Sequence, residues 1–532
     1  MTDSLLAETP AAAETRGIAR SASIIALGNI TARVLGLVRE QVIAGLFGTG
    51  AHVDALTLAL TLPVQIYELV TGGLVNSALV PVLSEYTPET RRAELWRLAS
   101  ILLSLAAVIV SLFVGGLVLF APQVVALFAL LGQGKNPDAQ AQAAQLLRIT
   151  LPAVIFLSLS GILSGLLYSL KRFTLPAFTA AIFNASLVVV SLLFARRFGV
   201  GATALGLLAC AGLQVALQLP GLRDGLLALR LTLNLRHPGL RRIFKLYVPI
   251  ILGLVITQLS IYFGLALAWE FTGGLSWMRY ATTLYQFPLG LVATAVSFAI
   301  LPTLSQQAQR NEGAGDFKAT LVQGLNLVTL LIVPATVGLF VLARPIVALA
   351  FERGEFNAND TALTALVLQV FLVGLSFAAV DQILIFAFYA RQDTLTPALV
   401  GIFSVFVYVA VALVLRGPLG LFSLMVADSV KQITHALVTG VLLSRRIGGF
   451  RRTGLWGTLG KVVLAAGVMG ALAAGALLGV RAFALPPGLA ERLLSVAVPG
   501  AVGVLVYFAL AARLDIAEVR LAFDLIRRRL GV

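Results

Sequence analysis

The sequence predicts an all-α polytopic membrane protein with about fourteen transmembrane helices, and three observations carry that reading. Hydrophobic residues make up 59% of the 532, charged residues 12%, and mean hydropathy is +0.96. A soluble domain carries about 25% charge. Apolar stretches near the roughly 20 residues that a spanning helix needs follow one another along most of the chain. A helix satisfies its own backbone polar groups, as a bilayer demands. Finally, short motifs recur at a fixed offset, so the chain contains two like-oriented lobes.

Taken in order, residues 1–21 form an N-terminal segment with Asp3, Glu8 and Glu14, unlike a cleaved leader, which begins basic and turns apolar. The N-lobe covers 22–220, with spans expected at 22–47, 53–83, 98–121, 142–169, 174–195 and 200–220. A basic linker follows at 221–243. The C-lobe covers 244–443, with spans at 244–269, 277–304, 319–342, 361–389, 395–415 and 418–443. A last pair, 459–480 and 493–512, falls within an appendix at 444–512. Residues 513–532 alternate charge with apolar side chains and predict an amphipathic interfacial helix. The pieces 123–132 and 345–352 are too short to span and read as re-entrant or interfacial. Positive charge favours the cytoplasmic side of loops. Arg91, Arg92, Arg97, Lys171, Arg172, Arg236, Arg241, Arg242, Arg445, Arg446 and Arg527–Arg529 share one side, which places both termini in the cytoplasm. Arg196 and Arg197 dissent.

The repeat is explicit. Val75–Ser84 (VNSALVPVLS) matches Val296–Ser305 (VSFAILPTLS), the prolines lying 302 − 81 = 221 apart. Tyr168–Ala177 (YSLKRFTLPA) matches Tyr389–Ala398 (YARQDTLTPA) at the same offset. APQVVALF from Ala121 matches ARPIVALA from Ala343, at 222. Six spans separate the copies, so the halves run in the same direction, suited to an axis along the membrane normal and to alternating access.

Several functions are disfavoured. The excess of 39 − 24 = 15 positive charges sits in loops and forms no basic domain, so nucleic acid is not an expected partner. The single Cys210 lies in an apolar run and reads as packing. His52, His237 and His435 are scattered, with no metal-ligand spacing. No nucleotide-binding or common hydrolase motif occurs, so neither a cofactor nor an enzyme activity is expected.

Ionisable side chains inside spans are costly and mark sites or buried pairs. Arg33, Arg39 and Glu40 lie in the first span, Asp54 and Glu68 in the second, Arg279 in the eighth, and Asp381 in the tenth. Asp428 and Lys431 in the twelfth stand at i, i+3 and suit a local pair. Arg33 and Arg39 point about 120° apart at 100° per residue, compatible with one broad cavity. Pairing of Arg39 with Asp54, or Arg33 with Glu68, is the structural alternative. Asp381 has no evident partner and reads as an ion-coupling candidate or a neutral buried acid. Pro63 and Pro81, and Pro288 and Pro302, with Gly72, Gly73 and Gly290, predict bends in the second and eighth spans.

RVLGLVREQVIAGLFGTG at Arg33–Gly50, ALVPVLSEY at Ala78–Tyr86 and SWMRYATTLYQFPLG at Ser276–Gly290 carry a resemblance over essentially the whole chain. LPTLS at Leu301–Ser305, FERGEFNANDT at Phe351–Thr361 and FYARQDTLTP at Phe388–Pro397 add to it. The sequence resembles the MurJ/MviN family of the MOP exporter superfamily. That resemblance implies two six-helix lobes, a terminal helix pair, and flipping of lipid II across the bacterial inner membrane for peptidoglycan synthesis. The implied partners are membrane lipid and a polyprenyl-diphosphate saccharide, with a coupling cation or the membrane potential as driving force. It implies a cationic site: Arg33 and Arg39 match, Glu40 stands for the family's Asp, and Asp54 matches. Elsewhere the chain departs. Thr61, Tyr67, Glu68, Gly72, Thr282, Thr283 and Gln382 replace charged residues of the family. Arg279, one turn before Thr283, is the candidate replacement, giving Arg33, Arg39 and Arg279 as the expected substrate-binding set. The departures also leave open a paralogue that flips another lipid-linked saccharide or a phospholipid, or a membrane scaffold for cell-wall enzymes that does not transport.

Overall fold

In a computed structural model the chain is helical throughout, and no strand occurs among the described residues. The structure describes residues 10–520, except 72, 133–135, 310–313, 451–452, 484–485, 487 and 517. The expected amphipathic tail at 513–532 lies largely outside the described residues, as do residues 1–9 of the N-terminal segment; from Pro10 onward that segment continues into the first helix.

The first compact unit ends at Leu275. It contains α1 (Pro10–Phe47), α2 (Ala51–Thr71), α3 (Val80–Ser84), α4 (Arg92–Leu119), α5 (Ala121–Gly132) and α6 (Pro137–Thr150). These are followed by α7 (Ala153–Ser169), α8 (Thr174–Ala177), α9 (Thr179–Phe198), α10 (Gly201–Gln218) and α11 (Pro238–Ala268). The second unit, from Ser276, takes up α12 (Gly274–Pro288), α13 (Thr294–Gln309), α14 (Ala314–Val341), α15 (Ala343–Phe351) and α16 (Ala358–Ala390). It continues through α17 (Leu395–Leu419), α18 (Phe422–Ile447), α19 (Leu455–Ala482) and α20 (Leu489–Arg513).

Among the described residues, eleven helices are long and apolar enough to cross a bilayer. The expected spans outside that set are α1, α11 and α18, which are 38, 31 and 26 residues long. α18 is the least apolar of them, with Asp428, Lys431, Gln432 and His435 in its middle turns. The short pieces α5 and α15 form where expected. Outward faces are apolar: Leu112, Leu119 and Leu130 in the first unit and Phe406 and Val414 in the second are 70% exposed or more, as lipid-facing positions should be.

The repeat is visible in the backbone. Outside glycine, positive φ requires a special turn. Lys171 (φ 59°) and Gln392 (φ 60°) share it, and 392 − 171 = 221. Gly199 and Gly420 both sit at φ 54°, and 420 − 199 = 221. An ion pair recurs with its charges exchanged, at offsets of 221 and 222: Arg172 pairs with Asp224 in the first unit, and Asp393 with Arg446 in the second. Compactness divides the chain one helix later than the repeat does. α11, aligned by the offset with α1, packs on α2, α4 and α5, and its Tyr247 hydroxyl donates to the Leu69 and Val70 carbonyls at 2.5 and 2.9 Å.

The predicted bends have a backbone form. After α2, Gly73 takes φ 74° and a π-helical turn follows at Val75–Leu79. Between α12 and α13 a second π turn spans Leu289–Ala293, directly after Pro288. π turns open the helical hydrogen-bond ladder and bend it.

Candidate functional site

In the first unit, α1 lies against α8 and α9. Glycine makes that approach possible: a Cβ on Gly28 would stand 2.2 Å from the Ala177 carbonyl oxygen. Two turns on, Gly36 leaves room for Asn184 of α9, whose amide nitrogen donates to the Ala32 carbonyl at 2.9 Å. Asn184 turns its oxygen to Arg39, accepting from Nη1 at 2.8 Å. Arg39 also donates from Nε at 2.9 Å and from Nη2 at 2.6 Å to Oε1 of Glu40. Glu40 is 1% exposed and Arg39 23%. Arg39 is therefore held by its neighbour and by Asn184, not by Asp54 as the structural alternative had it. Asp54 is buried and accepts from the Gly273 N–H at 2.6 Å, fixing the start of α2 to the turn before α12.

Arg33, nearly two turns before Arg39, is exposed and has no ion-pair partner among the described residues. Glu68 is likewise exposed on α2, so the alternative Arg33–Glu68 pair does not form. An apolar spanning helix that carries an arginine not neutralised by its own protein offers a guanidinium to an anionic ligand.

In the second unit, Arg279 is half-buried on α12, and its carbonyl accepts from the Thr283 hydroxyl at 3.0 Å. Thr283 is thus satisfied by its own helix. Gln382 donates to the Thr294 hydroxyl at 3.3 Å. Asp428 and Lys431 pair at 2.5 Å as their spacing predicts, with Lys431 also 5.4 Å from the centre of the Tyr408 ring.

Asp381 has a partner that the sequence reading lacked. His435 of α18 places Nδ1 2.8 Å from Asp381 Oδ1, with the Thr439 hydroxyl 3.3 Å from the same nitrogen. The carboxylate side chain is 9% exposed and the imidazole 13%. Close helix approach sets this up. A Cβ on Gly374 would lie 2.9 Å from Ser429 Cα, and Ser429 donates to the Val370 carbonyl at 2.9 Å. About two turns further along both helices, the carboxylate and the imidazole meet. The other histidines do structural work. His237 caps α11 by accepting from the Gly239 N–H and contacts Glu94, and His52 bonds Gln142. Among the described residues no group of three or more His, Cys, Asp or Glu could hold a metal ion.

Comparison with known proteins agrees with this architecture. The family model described as "Lipid II flippase MurJ" matches residues 43–496. A probable lipid II flippase MurJ of Haemophilus influenzae is 32% identical over 393 residues, covering 70% of this chain and 76% of that protein. The lipid II flippase MurJ of Burkholderia cenocepacia is 31% identical over 388 residues, covering 70% and 73%. Among solved structures, lipid II flippase MurJ in an inward closed conformation superposes with a TM-score of 0.77 at 22% identity, covering 94% of this chain and 99% of that one. An inward-facing multidrug-resistance MATE transporter of the MOP superfamily gives 0.63 at 13% identity, covering 78% and 94%. The fold is that of MurJ and the MOP transporters, and the chain belongs to the MurJ family.

Proposed function

We propose that this protein moves a polyprenyl-diphosphate-linked saccharide, lipid II, from the inner to the outer leaflet of the bacterial inner membrane by alternating access of its two lobes. The observation that carries the reading is Arg33. It is an exposed guanidinium within a spanning helix, in a chain whose family and relatives bear the lipid II flippase description. A planar five-donor fork suits the diphosphate. Arg39 and Arg279 complete the proposed substrate set. Glu40 holds Arg39 in place, Asp54 fixes the start of α2, and Glu68 and Asp381 are candidates for ion coupling.

The proposed work is transport, with no bond made or broken. In the absence of a nucleotide-binding motif, a membrane gradient is the proposed driving force. A potential of 100 mV is worth about 2.3 kcal/mol per charge carried across. The loop charges support a cytoplasmic position for both termini. The direct test is rescue of cells depleted of their own lipid II flippase. Growth on expression of this chain is expected, and lysis despite a correctly inserted protein would refute the assignment.

One observation favours a second reading. Thr283 and Gln382 stand where the resemblance implies basic residues, and both are engaged by neutral partners within the protein. A site with fewer cations suits a less charged headgroup. A paralogue that flips another lipid-linked saccharide or a phospholipid would fail the rescue yet still move its own lipid in proteoliposomes.

A further inference from the structure

The internal repeat puts the Asp381–His435 pair beside its own counterpart in the same chain. At the 221-residue offset, Asp381 aligns with Ser160, His435 with Gln214 and Thr439 with Gln218. The first unit joins its equivalent helices, α7 and α10, through these same positions. The Ser160 hydroxyl donates to Gln214 Oε1 at 3.3 Å and accepts from Gln218 Nε2 at 2.6 Å. Three aligned residues thus make the same inter-helix polar link in both units. In the first the link is neutral. In the second it consists of a carboxylate and an imidazole. Joining two helices needs only the neutral form, as α7 and α10 show, so the titratable version serves something other than packing. A buried acid in a spanning helix is costly, and helix joining gives no return for that cost.

The geometry names the service. When the Asp381 carboxyl is ionised it can only accept, so His435 Nδ1 then carries the hydrogen directed at it, and the neutral ring keeps its lone pair on Nε2. Nε2 makes no hydrogen bond among the described residues, and it faces Gly401 of α17, where even an added Cβ would stand 3.6 Å away. One nitrogen is anchored and the other is left open against a glycine. Without an added proton the pair carries a net charge of −1; with one proton on Nε2 it is neutral. The nearby charges on the surrounding helices are few or are paired among themselves. α13 and its π turn carry no titratable residue, and α14 has Asp316 and Lys318 only in its first turns. α15 has Arg344 in its first turn. Lys431, one turn before His435, is the nearest cation; its ammonium is paired with Asp428, a further turn away, and is faced by Tyr408 of α17. The Asp393–Arg446 pair lies about three turns beyond. On α16 itself, Tyr389 is the titratable neighbour of Asp381.

We propose that Asp381 and His435 form a proton site, loaded at His435 Nε2, through which a proton gradient drives the transport cycle. This rests on the flippase reading above and names its coupling ion. The test uses the full chain in proteoliposomes with a fluorescent lipid II analogue, the potential clamped by potassium and valinomycin, with and without an imposed pH gradient. The gradient should accelerate flipping by the natural protein. The double variant Asp381→Ser/His435→Gln copies the neutral link of the first unit. It should fold with a similar thermal midpoint and lose the acceleration. Flipping that ignores the gradient, or a folded double variant that keeps the acceleration, overturns the proposal. Substrate-free nanodiscs with ¹⁵N-labelled histidine supply a readout that does not need transport. The His435 ring should carry its fixed hydrogen on Nδ1 and take up a second proton reversibly on Nε2 as the medium is acidified, and Asp381→Asn should alter that response. A His435 ring whose Nε2 never takes up a proton overturns the proton site. If the natural protein does not flip the analogue at all, the flippase reading fails, and the nanodisc measurement still decides the proton site.

Discussion

Replacing Arg39 by alanine should destabilise the first unit through Glu40. That carboxylate is 1% exposed and accepts two bonds from the guanidinium, at 2.9 and 2.6 Å. Removing one partner of a buried pair costs about 3–5 kcal/mol, chiefly because the remaining charge loses its compensation. Arg39 is 23% exposed, so water recovers part of that loss and the lower end, about 3 kcal/mol, is expected. The double variant Arg39→Ala/Glu40→Gln removes the charge with its partner. It should cost less than the sum of the single variants by about 1.5 kcal/mol or more, the size of coupling seen between contacting residues. Equilibrium unfolding in mixed detergent micelles measures the cycle. Single-variant effects that add to within about 0.5 kcal/mol would refute the pairing as an energetic unit. The same variants separate structure from transport. If the guanidinium also binds the diphosphate, the double variant regains stability and still fails to flip lipid. Restored transport would leave Arg39 a structural role alone.

The exchanged ion pairs predict a charge-reversal rescue. Arg172→Asp should destabilise the first unit, and adding Asp224→Arg should restore most of the loss, since the second unit already uses the opposite polarity; a double variant no better than the single would refute the equivalence. The Thr396 hydroxyl and N–H, followed by Arg446, hold the Asp393 carboxyl below its ordinary value, at about 2. A depressed carboxylate stabilises the fold fully above its unfolded value and progressively less below it. About 1–2 kcal/mol should therefore be present at neutral pH and lost between about pH 5 and pH 2; Asp393→Asn should flatten that stretch of the stability–pH curve. Gly374→Val should force α16 from α18, because even a Cβ would sit 2.9 Å from Ser429 Cα. A cost of about 1–3 kcal/mol is expected, read as a lower thermal midpoint, and an unchanged midpoint would show that the helices do not depend on this contact.

Much of the fold is written in local pattern. Apolar length gives the spans, and the short runs at Ala121 and Ala343 give α5 and α15. Proline and glycine mark where the π turns open at Val75 and Leu289. The Asp428–Lys431 pair follows from i, i+3 spacing alone. What the sequence conceals is set by helix register. Asn184 reaches Arg39 across 145 residues, and His435 reaches Asp381 across 54. Neither partner is near in sequence, and neither is marked by periodicity. A signal for the second did exist. The repeat that aligns Tyr168 with Tyr389 also aligns Ser160 with Asp381 and Gln214 with His435, so a polar pair in one half points to its counterpart in the other. α11 shows the converse limit. Its sequence position assigns it to the second lobe, while its contacts with α2, α4 and α5 place it in the first compact unit.

The central claim is that arginines carried on spanning helices conduct a lipid diphosphate across the bilayer. Its most direct test is the rate at which the purified chain flips lipid II in proteoliposomes, set beside the Arg33→Ala/Arg39→Ala/Arg279→Ala variant at equal amounts of folded protein. The account predicts flipping by the natural chain and its loss in the triple variant; a triple variant that flips at the natural rate would contradict it.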